Sequence, residues 1–157
     1  MNIALITSMK AGLHQFVYRD IDALANKGHN VRLFTLLNKN GLYNPKPEWE
    51  VVPASTKKIA TKILPFALSQ PFLFIQLLLK ALRTNSLKNM LIAVAYSEQM
   101  TDVDVIYSYF GDHKFLVGYY LKKITNVPLL VTIRAYELYN NPNPKLFVEA
   151  LEYCDRI

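Results

Sequence analysis

DVIYSYFG (residues 104–111), FLVGYYLKKI (115–124), VPLLVTI (127–133) and RAYELY (134–139) follow one another almost without interruption, and their order decides the fold. The first is an apolar run of β-branched and aromatic residues closed by glycine, the pattern of a strand entering a turn. The second has the amphipathic spacing of a helix. The third is continuously apolar, as expected of a parallel strand buried on both faces. Strand, helix and strand form a βαβ unit, whose crossover is almost always right-handed. Ligands of open parallel sheets bind beyond the carboxyl ends of the strands. The polar, aromatic cluster at 134–139 therefore marks the first place to seek function.

The amino terminus repeats the arrangement. Residues 2–8 read as a strand and residues 9–13 as a short loop containing Gly12. Val17, Ile21, Leu24 and Ala25 then recur at helical spacing, with Arg19, Asp20, Asp22 and Asn26 on other faces. Gly28 supplies the left-handed residue that ends this helix, and residues 30–36 form the second strand. A turn-rich loop (38–47) precedes a short third strand at 49–52. Ser55 or Thr56 is placed to cap the next helix. Two or three helical pieces are expected between residues 57 and 98, because Pro65 and Pro71 must break or kink the run. The fourth strand is expected at 103–107, a helix opening near Asp112, and the fifth strand at 129–133. In the last helix Asn143 is a good N-cap and Pro144 a good first-turn residue. CDRI (154–157) resembles the opening of a further strand. The expected fold is α/β: a doubly wound, mostly parallel Rossmann-like sheet with helices on both faces.

Composition narrows the classes. Hydrophobic residues make up 52% of the 157 and charged ones 19%, which excludes a disordered chain. The net charge of +6 is concentrated: residues 51–97 contain no acidic side chain but carry Lys57, Lys58, Lys62, Lys80, Arg83 and Lys88. This basic, apolar region has two readings, helices that cover the sheet or helices that lie against an anionic bilayer. Its charges are interleaved with aliphatic residues and not with stacking aromatics, which argues against nucleic acid. The apolar run at 63–79 is interrupted by Pro65, Ser69, Gln70, Pro71 and Gln76 and is shorter than the roughly 20 residues of a membrane span. The first residues lack the basic segment of a signal peptide, so the expected location is the cytoplasm, with a peripheral position on the inner face of the membrane as the alternative. The single cysteine, Cys154, excludes an internal disulfide.

No cofactor motif is present. The first loop, Met9 to Leu13, lacks G-x-G-x-x-G and G-x-x-x-x-G-K-[ST]. His14, His29 and His113 have no metal-ligand spacing, so neither a metal nor another cofactor is expected. Gly12 has two readings, a residue that only makes the turn or one that admits a phosphate to the following helix. His29 follows Gly28 at a helix end and reads as structural, while His14 and His113 fall near the strand-end rim. Arg134 is the sharpest candidate, since a guanidinium emerging at the rim can bond phosphate or carboxylate through paired hydrogen bonds. Glu137 could instead hold it in an ion pair.

MNIALITS, QFVYRDIDALANKGHNVRLFTL (15–36), DVIYSYFG, VPLLVTIRAYELY and KLFVEALEYCDRI (145–157) resemble, in that order, the amino-terminal half of a GT-B glycosyltransferase of family 4. The resemblance covers both ends of the chain; residues 38–100 match in layout only. It implies two Rossmann-like domains facing a cleft, of which residues 1–157 would be the acceptor-binding one. The carboxy-terminal, donor-binding domain would be absent from this chain, leaving the fragment inactive by itself. The implied activity is metal-free, retaining sugar transfer from a nucleotide-sugar donor to a glycan or lipid-linked acceptor, in surface polysaccharide biosynthesis. Many members have His where this chain has Arg134, and His where it has Ser108, so the histidine roles do not transfer. The resemblance implies Arg134 as the catalytic residue, Lys10 and Gly12 beside the donor diphosphate, and His14, Ser108, Phe110 and Glu137 along the acceptor side. The alternative is a non-catalytic, stand-alone α/β binding or membrane-peripheral interaction module.

Overall fold

Apolar strands that alternate with amphipathic helices can bury both faces of a sheet only by packing helices above and below it. The computed structural model describes all 157 residues, Met1–Ile157, and has this architecture. Strands β1 (Asn2–Met9), β2 (Asn30–Asn38), β3 (Glu50–Pro53), β4 (Val105–Tyr109) and β5 (Leu129–Thr132) are all parallel. Their order is β3-β2-β1-β4-β5. Leu5 at the centre of β1 pairs with Leu33 on one side and Tyr107 on the other. The chain therefore winds outward in both directions from β1 and β4, and the switch point lies between their carboxyl ends. Arg156 bridges Leu130 in parallel at the outer edge, where a sixth strand was expected to open.

The helices divide by face. Helix α1 (Gln15–Asn26) covers one side, its Val17 and Ile21 packed against Ile3, Leu5, Val31, Leu33 and Val105. On the other lie α2 (Thr56–Ser69), α3 (Pro71–Arg83), α4 (Leu87–Ser97), α5 (His113–Thr125) and α7 (Pro144–Tyr153), packed over Ala4, Ile6, Phe34, Ile106 and Leu129. Gly28 takes φ of 80° and closes α1, donating its amide to the Ala25 carbonyl. Asn143 caps α7 by accepting the Leu146 amide hydrogen, with Pro144 as the first helical residue.

Two local expectations are corrected. Helix α2 runs through Pro65 without ending, and the break falls only at Gln70, ahead of Pro71. Pro65 lies on the exposed side, where water can satisfy the carbonyl that its missing N–H leaves free. The polar, aromatic segment after β5, which the sequence reads as a loop at the strand end, is a short helix, α6, over Ala135–Tyr139. Glu137 nucleates it by accepting the Arg134 amide hydrogen at 2.7 Å, while the Arg134 carbonyl accepts from the Glu137 amide at 3.0 Å.

Candidate functional site

Three strand ends supply the site. Beyond β1 come Lys10 and His14, beyond β4 come Phe110 and Asp112, and beyond β5 come Arg134 and Glu137. With Ser8 and Lys114 these line one open cleft of about 310 Å³ at the switch point. Of the residues singled out in the sequence, Lys10, His14, Phe110, Arg134 and Glu137 are thus brought together.

Arg134 is held by an aromatic platform. Its guanidinium carbon lies 3.7 Å from the Phe16 ring centre and 5.3 Å from that of Phe110. Phe16 in turn stacks on His14 at 5.5 Å and meets Phe110 edge-on at 5.7 Å. Stacking fixes the plane of the guanidinium and leaves its N–H edge free for hydrogen bonding. The chain's six ion pairs do not include Arg134. The carboxylate of Glu137 is spent on the Arg134 backbone, so the Arg134–Glu137 side-chain pair entertained from the sequence does not form.

Two further features shape the cleft, a neutralised ion pair and an uncapped helix end. Lys114, only 8% exposed, lies 4.8 Å from the centre of the Phe110 ring and pairs with Asp112 at 2.5 Å. Asp112 also caps α5 by accepting the Lys114 amide hydrogen at 3.0 Å. Helix α1 begins after His14 with no side-chain cap and no acidic residue in its first turn, so its positive pole at the rim is unopposed. Phe110 adopts φ of 75°, uncommon for a bulky residue. Its amide donates to the Thr132 carbonyl at 2.9 Å, and Asn141 Nδ2 donates to the next carbonyl, that of Gly111, at 2.8 Å. The strained turn is pinned from both sides, a pattern associated with functional sites.

Two candidates lie elsewhere than expected. Ser108 is fully buried and points from β4 into α5, its Oγ donating to the Lys114 carbonyl at 3.3 Å. Strand alternation is the cause: Tyr107 and Tyr109 face α1, so Ser108 faces the opposite layer. Gly12 has φ of 74°, yet its amide donates to the Lys39 carbonyl at 3.0 Å, and a Cβ there would lie 2.6 Å from the Tyr43 carbonyl oxygen. The loop following β2 occupies the space a phosphate would need. Gly12 thus joins two loops and presents no amide to the cleft. His113 sits on a neighbouring cavity, not this one.

Phe16 and Lys114 were not found from the sequence. Phe16 reads as an ordinary residue of an amphipathic helix, although an aromatic one position inside a helix that opens at the rim is a usable signal. Lys114 reads as a solvated charge in a first helical turn. A larger cleft of about 380 Å³ lies at the carboxyl ends of α4 and α5, remote from the strand ends, and its charged pair, Lys62 and Glu98, is already closed at 2.6 Å.

No protein-family model and no curated protein sequence matches the chain. Among solved structures it is similar to CalG4, the calicheamicin glycosyltransferase, at 21% identity and a TM-score of 0.49, over 97% of this chain and 36% of that one. It is also similar to UDP-glucose 4-epimerase of Thermotoga maritima, solved with UDP-glucose, at 14% identity and a TM-score of 0.42, over 83% of this chain and 54% of that one. The chain thus spans 36% and 54% of the lengths of these two proteins.

Proposed function

We propose that residues 1–157 form the acceptor-side domain of a retaining glycosyltransferase that uses a nucleotide-sugar donor. A second α/β domain facing the cleft would hold most of the donor. The observation that carries the reading is the Arg134 guanidinium, stacked on Phe16 and without a carboxylate partner, at the switch point of the sheet. In sugar transfer the bond from the anomeric carbon to the diphosphate oxygen breaks and a bond to the acceptor oxygen forms. Negative charge grows on the departing nucleoside diphosphate, whose oxygen takes up the proton that the acceptor hydroxyl gives up. A fixed guanidinium, backed by Lys10, stabilises such a leaving group without reorganising at the moment of reaction. His14, Phe110 and Glu137 border the same space, where the acceptor would approach. The sequence resemblance to family 4 supports the same assignment, including the role in surface polysaccharide assembly.

The test is to express the open reading frame that carries this chain to its natural stop and to screen nucleotide sugars for transfer, with the product anomer determined by NMR. Retention of configuration is expected, and Arg134→Ala is expected to lower turnover by more than about tenfold, the scale of a lost charge-assisted contact. Transfer by residues 1–157 alone, or full turnover by Arg134→Ala, overturns the reading.

The α2–α3 hairpin favours a peripheral membrane position on the inner membrane face for this enzyme. Leu64 and Leu68 on α2, and Phe72, Ile75, Leu79 and Leu82 on α3, are all exposed. The two on α2 are four residues apart and those on α3 three or four apart, so on each helix they share a face. Lys57, Lys58 and Arg83 are also exposed and form no ion pair. Lys62 and Lys80 of the same basic region turn inward, to Glu98 and Glu149. An apolar face fringed by free cations and devoid of carboxylates matches an anionic bilayer, where each basic residue contributes about 1 kcal/mol. The same face would serve the alternative, a non-catalytic membrane-peripheral module.

A further inference from the structure

The alternation of side chains along β4 reverses at Phe110. Val105, Tyr107 and Tyr109 pack in the layer of α1, while Ile106 and Ser108 face the layer of α5. The next residue, extended like its neighbours, would join the α5 layer. The φ of 75° at Phe110 turns it back, and its ring packs in the α1 layer, 6.3 Å from that of Tyr109. A left-handed backbone is unfavourable for so bulky a residue and persists only where its surroundings enforce it.

The reversal brings the ring to the cleft. Phe110 lies 5.6 Å from the His14 ring, 5.7 Å from the Phe16 ring and 5.3 Å from the Arg134 guanidinium carbon. Phe16, the second residue of α1, meets the same guanidinium at 3.7 Å. Arg134 is exposed and enters no ion pair, so without these rings its long side chain would sample many rotamers. Glu137 fixes the stem through the backbone, and the rings fix the head. A carboxylate could also hold the head, but it would cancel the charge. Aromatic faces restrain the guanidinium plane and leave both its charge and its N–H edge available.

We propose that Phe16 and Phe110 are positioning residues: a two-ring clamp, completed by the left-handed backbone at Phe110, that holds the Arg134 guanidinium in one plane at the cleft. The clamp itself stands on geometry. Its service to a departing diphosphate rests on the transferase reading. Charge on that group grows towards the transition state, so the clamp acts on kcat more than on KM.

The experiment joins NMR of the 157-residue chain to kinetics of the full reading frame. The Arg134 Nε–Hε group is expected to show a ring-current shift and backbone-like order on the ps–ns scale. Phe16→Leu keeps an apolar side chain, so the fold should persist, as the melting temperature will verify. It should abolish the shift and lower the order, and Phe16→Tyr should retain both. Phe110→Asn removes the second ring while tolerating the left-handed backbone, and should also lower the order. In the full protein Phe16→Leu should reduce kcat by about tenfold or more, the scale of a misplaced catalytic group, with the donor KM within about twofold. Phe16→Tyr should restore most of the turnover.

Unchanged Arg134 signals in Phe16→Leu overturn the clamp, and unchanged signals in Phe110→Asn overturn the part given to Phe110. Lost order with full turnover, or no recovery in Phe16→Tyr, overturns the positioning role. Lost order in Phe16→Leu, in a full-length protein that transfers from no donor, supports the clamp and overturns the transferase reading.

Discussion

Glu137 binds Arg134 through the main chain and leaves its side chain alone. The carboxylate accepts the Arg134 amide hydrogen at 2.7 Å, and the guanidinium turns instead onto the Phe16 ring. One residue thereby fixes the backbone from which the arginine projects without neutralising it. Because Arg134 is exposed and its guanidinium meets only the Phe16 and Phe110 rings, Arg134→Ala should shift the melting temperature by no more than about 2 °C, consistent with a surface substitution. Calorimetry on the variant, set beside its turnover in the full reading frame, separates a functional arginine from a structural one.

Glu137→Ala should behave in the opposite way. The loss of a helix-initiating acceptor is expected to cost about 1 kcal/mol of stability. Denaturant unfolding measures this, and Glu137→Gln, which retains an acceptor oxygen, should recover most of it. Equal losses in both variants would mean that charge, not hydrogen bonding, is what Glu137 supplies.

The close approach of α5 to β4 is a third test. A Cβ on Gly118 would lie 2.5 Å from Ser108 Oγ and 2.8 Å from Leu129 Cδ1. Gly118→Ala should therefore destabilise the chain by about 1–3 kcal/mol through overpacking. Ser108→Ala in the same background removes the closer obstacle and should recover part of the loss. Additive losses in the double variant would show that the two residues do not meet.

Acid stability should depend on Asp155. The Lys122 ammonium at 2.6 Å and the Leu129 amide at 2.7 Å hold its carboxyl below the usual carboxylate range. A folded-state value lowered in this way contributes stability that is fully present above about pH 4 and is lost as the pH falls through the folded value. Asp155→Asn should flatten the acid limb of the stability profile below pH ~4 and weaken the tie between the carboxyl-terminal segment and β5. An unchanged acid limb would sink the assignment.

The exposed hairpin face predicts selective vesicle binding. The chain should sediment with vesicles rich in phosphatidylglycerol and far less with pure phosphatidylcholine. Phe72→Ser with Leu79→Ser should abolish sedimentation, and Lys57→Glu with Arg83→Glu should reduce it by more than about tenfold, given roughly 1 kcal/mol for each charge removed. Concentration-dependent self-association through the same residues, with no vesicle binding, would assign the face to a second copy instead.

The layered fold was legible because it is written in short-range patterns: apolar runs for strands, Gly28 and Asn143 at helix ends, and Asp112 opening α5. The convergence of Lys10, His14, Phe110, Arg134 and Glu137 was legible from one topological rule, that consecutive strand ends share an edge. What escaped depends on contacts between distant residues. The placement of Ser108 turns on strand parity, which a shift of one residue inverts. The amide of Gly12 is claimed by Lys39, twenty-seven positions later. Lys62 and Lys80 find Glu98 and Glu149, partners that no local window contains.

The knot between Gly12 and the loop that follows β2 has a consequence for how this rim could diversify. Gly12 and Leu13 donate to Lys39 and Tyr43, and Gly41 sits so close that a Cβ on it would come within 1.8 Å of the Ala11 carbonyl oxygen. Any lengthening of the 39–43 segment would push directly on the stem that carries Lys10 and His14. The two loops must therefore vary in concert, and a graft of either one from a relative would succeed only when its neighbour travels with it.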